Sequence, residues 1–195
     1  MILTIAQVAA GTRCPLDAVT VAWPELAAQL DAHGPTSGAG EVGLAATVAL
    51  ETGWTFRPVS ERWPRGETPE QYFARYAPPN HVAIALGNHS VEDAVLYRGR
   101  GFIQITGRAN YARYGLRLGV DLLAVPERAL DPEISAAIAA CYWADRQITV
   151  KCDAGDWEGV RKAVNGGTNG LTEFQDIVNR LLTYLPDAPE MPEGA

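Results

Sequence analysis

The chain of 195 residues lacks several features that define particular classes of protein. Its three cysteines, Cys14, Cys141 and Cys152, are too few and too oddly spaced for a disulfide framework or a zinc site. We expect reduced, structural thiols, with a Cys141–Cys152 bridge as the alternative. The histidines have no ligand spacing, and neither a Gly-x-Ser-x-Gly motif nor a phosphate-binding loop occurs. The sequence therefore predicts no bound metal and no cofactor.

Positive charge is also scarce. Lys and Arg number 16 against 23 Asp and Glu, which gives a formal net charge of −7. Because phosphate binding needs a basic surface, this balance argues against nucleic acid as a partner. No apolar run approaches the roughly 18 residues of a membrane-spanning helix. Residues 1–7 lack the basic and apolar regions of a secretory signal. We therefore expect no membrane insertion and no signal peptide.

Helix signals dominate what is present. Thr4 is placed as an N-cap, and Thr68 is followed by Pro69 at a first helical position. With 47% hydrophobic and 20% charged residues, the chain should form one mainly α domain over residues 1–185, whose N-terminal helical segment is residues 1–34. Residues 186–195 are rich in proline and acidic residues and are predicted to be a tail or linker. The predicted helices are residues 4–10, 15–21, 24–33, 41–50, 68–77, 108–118, 126–130, 132–148, 156–164 and 171–185.

Residues 97–111 are the least ordinary stretch: Tyr-Arg-Gly-Arg-Gly-Phe-Ile-Gln-Ile-Thr-Gly-Arg-Ala-Asn-Tyr. Successive side chains of an extended chain point to opposite faces. Arg100, Phe102, Gln104 and Thr106 should therefore share one face, opposite Ile103 and Ile105 on the core face. The neighbouring glycines let another chain approach the backbone closely. A half-buried strand with a polar outer face is the simplest interpretation of this alternation.

The same fifteen residues resemble the signature of the family 19 glycoside hydrolases, which are chitinase-like, and look closest to the phage endolysins of that family. Weaker matches extend the resemblance from about residue 40 to residue 182. The resemblance implies a lysozyme-like, two-lobed helical fold with one small β-hairpin. It also implies a sugar cleft between the end of the helix at 41–50 and the hairpin at 97–106, and a hydrolysis that inverts the anomeric configuration.

Glu51 is the candidate general acid. It follows an apolar, alanine-rich helix, where burial and the negative end of the helix dipole both favour a protonated carboxyl group. From position alone, a glutamate that points into solvent beyond the helix is the alternative. In the family the acid lies in a His-Glu-Ser/Thr-Gly run, and Leu50-Glu51-Thr52-Gly53 matches three of these four positions. Leu50 replaces the common histidine, so whatever that histidine does in relatives is missing here.

The resemblance assigns the second carboxylate, the general base, to the loop that follows, and Glu61 is the match. Glu67 competes for this role because the loop matches the family poorly outside Ser60-Glu61. The structural alternative for Glu61 is an ion pair with Arg57 or Arg62, and exposed pairs of this kind contribute little to stability. An inverting enzyme needs room for a water between its two carboxyl groups.

The resemblance extends to further residues. Thr106 matches the family's hydroxyl residue that helps to hold the attacking water, and a hydroxyl can both donate and accept hydrogen bonds. For the amide side chains, capping of backbone groups in turns is the alternative. Tyr97, Trp54 and Trp63 could stack on sugar rings. The candidate substrate-binding residues are Tyr97, Arg100, Gln104, Asn110 and Asn165.

The sequence thus predicts an endolysin that hydrolyses β-1,4 glycosidic bonds in the glycan strands of bacterial peptidoglycan. Glu51 protonates the leaving oxygen, while Glu61 deprotonates a water held with Thr106. The alternatives are a chitinase acting on N-acetylglucosamine polymers and a non-catalytic sugar-binding module. We expect a monomer that stays in the host cytoplasm until lysis and then reaches the cell wall, with a separate wall-binding module as a candidate partner.

Overall fold

The computed structural model describes residues 1–34 and 36–186. Within these ranges the chain is mainly helical, with one two-stranded antiparallel sheet. The strands are β1 Val59–Ser60 and β2 Arg100–Gly101, and two 3-10 helices span Ala74–Tyr76 and Pro126–Leu130. The predicted fold class is confirmed; residues 187–195 of the predicted tail lie outside the described ranges. The α-helices are α1 Ile5–Thr12, α2 Leu16–His33, α3 Gly38–Glu51, α4 Pro69–Phe73, α5 His81–Leu86, α6 Val91–Leu96, α7 Arg108–Leu118, α8 Pro132–Asp145, α9 Ile148–Asp153, α10 Trp157–Asn165 and α11 Leu171–Leu182.

The described residues divide into two compact units. Unit 1 comprises Met1–Arg57 and the described residues after Ile138, and unit 2 comprises Pro58–Ile138. The division falls inside helix α8. Among the described residues, no helix combines the length and the apolar composition that crossing a membrane requires. The three cysteines are buried thiols without a disulfide between them.

Helix α3 is the centre of unit 1. Residues 39–49 are all buried, and the helix packs against α1, α9, α10 and α11. Its small residues permit this close packing: a Cβ atom built on Gly43 would lie 2.5 Å from the Sγ of Cys152 in α9. Since α3 is surrounded on all sides, the residue at its C-terminal end, Glu51, is held by a rigid element.

A buried carboxylate fixes the beginning of α3 to the N-terminal segment. Glu41, in the first helical turn, accepts hydrogen bonds from the backbone N–H groups of Ile2 and Leu3, each at 2.7 Å. Its side chain has no exposed surface. A buried charge is stable only when its oxygen atoms are hydrogen-bonded, and here both are.

Two of the predicted helices near the N-terminus are one helix in the structure. The prediction of separate helices at 15–21 and 24–33 is wrong, because α2 continues through Pro24. The proline removes one backbone hydrogen bond, but its neighbours Trp23, Leu26 and Ala27 are fully buried. Their packing outweighs the local penalty.

The predicted long helix at 132–148 ends earlier in the structure. Helix α8 ends at Asp145, and Gln147 adopts a left-handed backbone conformation with φ of 51°. The chain then begins a separate helix, α9, at Ile148. A single left-handed residue is sufficient to break the helical hydrogen-bond ladder.

Residues 100–105 of unit 2, which were predicted to be part of one long strand, form a tight turn. Strand β2 pairs with β1, and Arg100 and Ile105 then exchange backbone hydrogen bonds of 3.2 and 3.0 Å. The prediction of an extended chain through Gln104 is wrong, because this residue has φ of 54°. Phe102, Ile103 and Ile105 are all buried. The small sheet joins segments far apart in sequence, and the hairpin is the short 100–105 turn beside it.

Candidate active site

Glu51 is the last residue of α3, and its side chain is 17% exposed. Its Oε1 accepts a hydrogen bond from Nη1 of Arg161 at 2.5 Å. Arg161 lies in α10 with 7% side-chain exposure, and its Nε donates to the backbone oxygen of Asn169 at 2.7 Å. The carboxylate therefore does not point freely into solvent. It is paired with a guanidinium group that is itself held in place.

The chain turns sharply after Glu51. Gly53, Trp54 and Phe56 all have positive φ angles, of 59°, 60° and 52°. Left-handed backbone costs about 1 kcal/mol or more for a residue with a side chain. The turn is held by the N–H of Trp54, which donates to Ala49 O at 2.7 Å. Such local strain beside an acidic side chain is typical of a functional site.

Leu50 occupies the position where the family commonly has histidine. A Cβ atom built on Gly170 would lie 3.2 Å from Cδ2 of Leu50 and 3.7 Å from Nη2 of Arg161. Leu50 therefore packs beside the turn that leads into α11, close to the guanidinium that pairs with Glu51.

Glu61 follows β1 and is fixed at three points in unit 2. Its N–H donates to Gly99 O at 2.8 Å, and the N–H of Gly99 donates to Oε2 at 3.3 Å. The hydroxyl of Tyr76 donates to Oε1, also at 3.3 Å. Burial, followed by the charge of Glu61, raises the pKa of Tyr76 to about 12. This hydroxyl therefore keeps its proton at any working pH.

Two further candidates meet Glu61 around Gly99. A Cβ atom built on this glycine would lie 3.1 Å from Oε2 of Glu61, 3.1 Å from Oε1 of Gln104 and 3.3 Å from Oγ1 of Thr106. Three oxygen atoms with different hydrogen-bonding capacity thus surround a position without a side chain. The structure brings together the residues predicted as base, water holder and amide ligand.

Gln104 and Thr106 are oriented by their own hydrogen bonds. Nε2 of Gln104 donates to the backbone oxygens of Val59 and Gly101, each at 2.8 Å. These bonds consume the donors of the amide, so Oε1 is the atom beside Gly99. The hydroxyl of Thr106 donates to Gln104 O at 3.0 Å. The left-handed backbone of Gln104 makes this geometry possible.

Arg100, predicted to bind substrate, lies inside unit 2 with no exposed side-chain surface. Its Nη1 donates to Leu96 O at 2.7 Å and to the hydroxyl of Tyr111 at 2.9 Å, and its Nη2 donates to Glu127 Oε1 at 3.0 Å. Burial, opposed by Arg100, raises the pKa of Tyr111 to about 12. The structure assigns Arg100 to the hydrogen-bonded core, not to a surface that a ligand could contact.

Tyr97 is also buried, with 4% exposure, and its hydroxyl donates to Leu123 O at 3.2 Å. Of the three aromatic residues suggested for stacking on sugars, Trp54 and Trp63 are the exposed ones, at 42% and 41%. Stacking on a ring requires an accessible face. The two tryptophans therefore fit that role better than Tyr97.

The two predicted asparagines cap backbone groups. Asn110 is half-buried, and its Nδ2 donates to Thr106 O at 2.7 Å. It therefore supports the turn that carries Thr106. Asn165 is exposed, and its Nδ2 lies 3.4 Å from Asn169 O. Glu67, the competitor for the base, is exposed in its loop.

Sequence reasoning missed Arg161 and Tyr76. A signal for Arg161 existed: it lies four residues after Trp157 on the inner face of an amphipathic helix, where a charge needs a partner. Tyr76 lies within the predicted helix at 68–77, and no sequence pattern links it to Glu61. Among the described residues, no group of three His, Cys, Asp or Glu side chains is arranged to hold a metal ion.

The fold of this chain matches the folds of two bacterial chitinases of known structure. Chitinase C from Streptomyces griseus HUT6037 aligns with a TM-score of 0.65 and 17% identity over 97% of this chain and 79% of that protein. A bacterial family 19 chitinase aligns with a TM-score of 0.66 and 18% identity over 98% of both chains. The chain thus has the mainly helical, lysozyme-like fold of family 19 chitinases.

The sequence gives a more particular relative. A glycosyl hydrolase family 19 domain-containing protein of Haemophilus influenzae is 38% identical over 100 residues, which are 51% of this chain and 48% of that protein. The match therefore spans about half the length of this relative. No protein-family model matches the chain. The resemblance to family 19 glycoside hydrolases is confirmed in sequence over half of the chain and in fold over nearly all of it.

Proposed function

We propose that the chain is a glycoside hydrolase of the family 19 type that inverts the anomeric configuration. Glu51 is the general acid and Glu61 the general base. The observation that carries the proposal is the arrangement around Gly99, where the carboxylate of Glu61, the amide oxygen of Gln104 and the hydroxyl of Thr106 surround one open position. A base grouped with two further oxygen acceptors suits the activation of a water, which can donate its hydrogen atoms to them.

The acid half of the mechanism rests on Glu51 and Arg161. Since Oε1 of Glu51 accepts from Arg161, Oε2 is the oxygen that carries the proton to the leaving glycosidic oxygen. The guanidinium group stabilises the carboxylate that remains after this transfer. Inversion requires Glu61 to act on a water at the opposite face of the same sugar.

We further propose that the substrate is bacterial peptidoglycan and that the chain acts as an endolysin. The proposal rests on the signature at residues 97–111, which looks closest to that of phage endolysins. On this proposal the protein is made in the host cytoplasm and acts on the glycan strands after lysis begins. The net charge of −7 provides no attraction to an anionic wall, so recognition must depend on the sugar-binding surface itself.

A chitinase is the second candidate, favoured by the names of the structurally similar proteins, which are chitinases. The third, a non-catalytic sugar-binding module, is disfavoured by the local structure. Both carboxylates are retained, and each has a dedicated partner, Arg161 for Glu51 and Tyr76 for Glu61. A binding module has no need of either pair.

One experiment separates the three candidates. Purified chain is incubated with a suspension of cell walls, and turbidity is followed in parallel with the cleavage of a soluble chitin oligomer. Loss of turbidity with a stable oligomer supports the endolysin, and the reverse result supports the chitinase. Binding without cleavage of either polymer would identify a binding module. Mass analysis of the wall fragments then distinguishes a muramidase from a glucosaminidase.

A further inference from the structure

We propose that Tyr76 is a positioning residue for the base, Glu61, and that its hydroxyl keeps this carboxylate oriented for proton abstraction. The inference rests on the proposed function, because it identifies a second hydrogen-bond donor that holds the proposed base. Neither the signature at 97–111 nor the loop around Glu61 contains Tyr76. It comes from a different element, the 3-10 helix Ala74–Tyr76.

The geometry of the carboxylate carries the proposal. Two donors from separate segments approach its two oxygen atoms: the N–H of Gly99 at Oε2 and the hydroxyl of Tyr76 at Oε1, each at 3.3 Å. One donor alone would leave the carboxylate free to rotate about its last bond. With both donors its plane is fixed, and Oε2 faces the open position beside Gly99.

Tyr76 is itself held firmly. Its backbone oxygen accepts from Nδ2 of Asn88 at 2.9 Å. Asn88 is buried, and its Oδ1 accepts from the N–H of Arg108 at 2.9 Å. The tyrosine ring packs against the fully buried Phe73, with ring centroids 6.2 Å apart. The hydroxyl therefore reaches Glu61 from a fixed support, as orientation of a catalytic group requires.

Charged and titratable groups from neighbouring elements surround the pair. Arg98, from the segment before β2, interacts electrostatically with Glu61, and Arg75 and Tyr72 interact with Tyr76 from the neighbouring helical turns. Burial raises the pKa of Tyr76 to about 12, so the phenol is a donor at every pH at which the protein works. The hydrogen bond from Tyr76 to Oε1 of Glu61 therefore persists across the working pH range.

The test compares Tyr76→Phe with Tyr72→Phe. Both changes remove one hydroxyl and keep the ring. Tyr72 lies one turn earlier, with its ring 3.5 Å from the guanidinium of Arg75 and in edge contact with Phe73. Loss of the Tyr76 hydroxyl frees the carboxylate of Glu61 to rotate away from the open position beside Gly99, so proton abstraction and not substrate binding should suffer. We expect kcat to fall about tenfold in Tyr76→Phe while KM changes less than about twofold, and both constants to stay at the wild-type values in Tyr72→Phe.

A second measurement does not depend on activity. The mobility of the Glu61 side chain is followed by ¹³C NMR relaxation, with Glu61→Gln used to assign its signal. Its order parameter should fall in Tyr76→Phe and stay unchanged in Tyr72→Phe, because only the first change removes a donor that holds the carboxylate. An order parameter that is equal in wild type and Tyr76→Phe would overturn the proposal, as would an equal fall in both variants.

Failure of the proposed function gives a different result. If the wild type hydrolyses neither polymer, the catalytic assignment of Glu61 fails, and with it the role of Tyr76 in catalysis. If the wild type is active and Tyr76→Phe keeps the wild-type kcat, the hydrolase stands and the positioning role is overturned. A reduced kcat together with a reduced order parameter supports both.

Discussion

Arg161 donates from Nη1 to Oε1 of Glu51 at 2.5 Å, and the two residues are 110 positions apart in sequence. Helices α10 and α3 therefore meet at an ion pair with little exposure on either side, 7% for Arg161 and 17% for Glu51. Ion pairs at exposed sites contribute little to the stability of a protein. When a pair is shielded from solvent, loss of one partner destabilises the protein strongly, because the other charge stays buried without a partner. Arg161 is therefore part of the environment in which Glu51 would act as an acid.

Arg161→Lys should lower kcat on a soluble oligomer about tenfold or more and lower the free energy of unfolding by about 1–3 kcal/mol. Lysine keeps the charge, but it cannot bond Glu51 and Asn169 O at the same time, as the guanidinium does. The control is Arg128→Lys, at a half-exposed pair with Asp131 of 3.6 Å. Steady-state kinetics and urea unfolding provide the measurements. Equal effects of the two variants would contradict the assigned role.

Glu61→Gln should reduce kcat by about 10²- to 10⁴-fold, the range for loss of a general base, while Glu67→Gln should stay within about twofold of wild type. Glu61 lies beside Gln104 and Thr106, whereas Glu67 is exposed in its loop. Glutamine preserves the shape of the side chain but removes its basicity and one of its two acceptor oxygens. The kinetic comparison decides between the two candidates, and a large loss in Glu67→Gln alone would transfer the role of base to that residue.

Gly99→Ala should abolish most of the activity with little loss of stability. The added methyl group would lie 3.1 Å from Oε2 of Glu61 and 3.1 Å from Oε1 of Gln104, in the position from which the base is approached. The control is Gly34→Ala, where the new Cβ meets only ordinary contact with Ala144 at 3.8 Å. Oligomer hydrolysis and thermal unfolding are compared for both variants. Full activity in Gly99→Ala would show that the open position has no role.

Glu41→Gln should lower the free energy of unfolding by about 2–4 kcal/mol, because an amide offers one acceptor where the backbone N–H groups of Ile2 and Leu3 need two. The exposed Glu158→Gln, which removes a pair with Lys162 on the same helix, should leave the free energy of unfolding close to that of the wild type. Urea denaturation measures both values. A Glu41→Gln variant as stable as the wild type would show that the buried carboxylate is not required to hold the N-terminal segment against α3.

Helix ends that depend only on adjacent residues could be predicted from the sequence. The side chains of Thr4 and Thr68 cap α1 and α4 in complete capping boxes. Helix α7 begins and ends where the sequence predicted, because Gly119 adopts the left-handed conformation that ends a helix. These features need only a few adjacent residues, so they can be recognised without knowledge of the fold.

Predictions failed where contacts distant in sequence decided the conformation. The pattern at residues 97–111 alternates like a strand, but Gly99 and Gly101 flank Arg100, whose buried guanidinium forces the chain to turn. Gln104 then enters the left-handed region, stabilised by its two bonds to Val59 O and Gly101 O. No periodicity in the sequence can reveal such bonds, because β1 precedes this stretch by about 40 residues.

The candidate site was only partly accessible from sequence. The resemblance identified Glu61, Gln104 and Thr106, which the structure groups around Gly99. Position alone left Glu51 and Glu61 open to solvent-exposed alternatives, and their partners Arg161 and Tyr76 lie on elements that no local motif connects to them. Contacts between elements that are distant in sequence determine these pairings.

The most direct test of the central claim is the hydrolysis rate of Glu51→Gln on whichever polymer the wild type cleaves. We predict a fall in kcat of about 10²- to 10⁴-fold, as expected for loss of a general acid, with unchanged substrate binding and an unchanged circular dichroism spectrum. Glu158→Gln, with its exposed carboxylate, serves as the matched control and should retain full activity. A Glu51→Gln variant that stays folded and keeps the wild-type rate would contradict the assignment of Glu51 and the two-carboxylate mechanism with it.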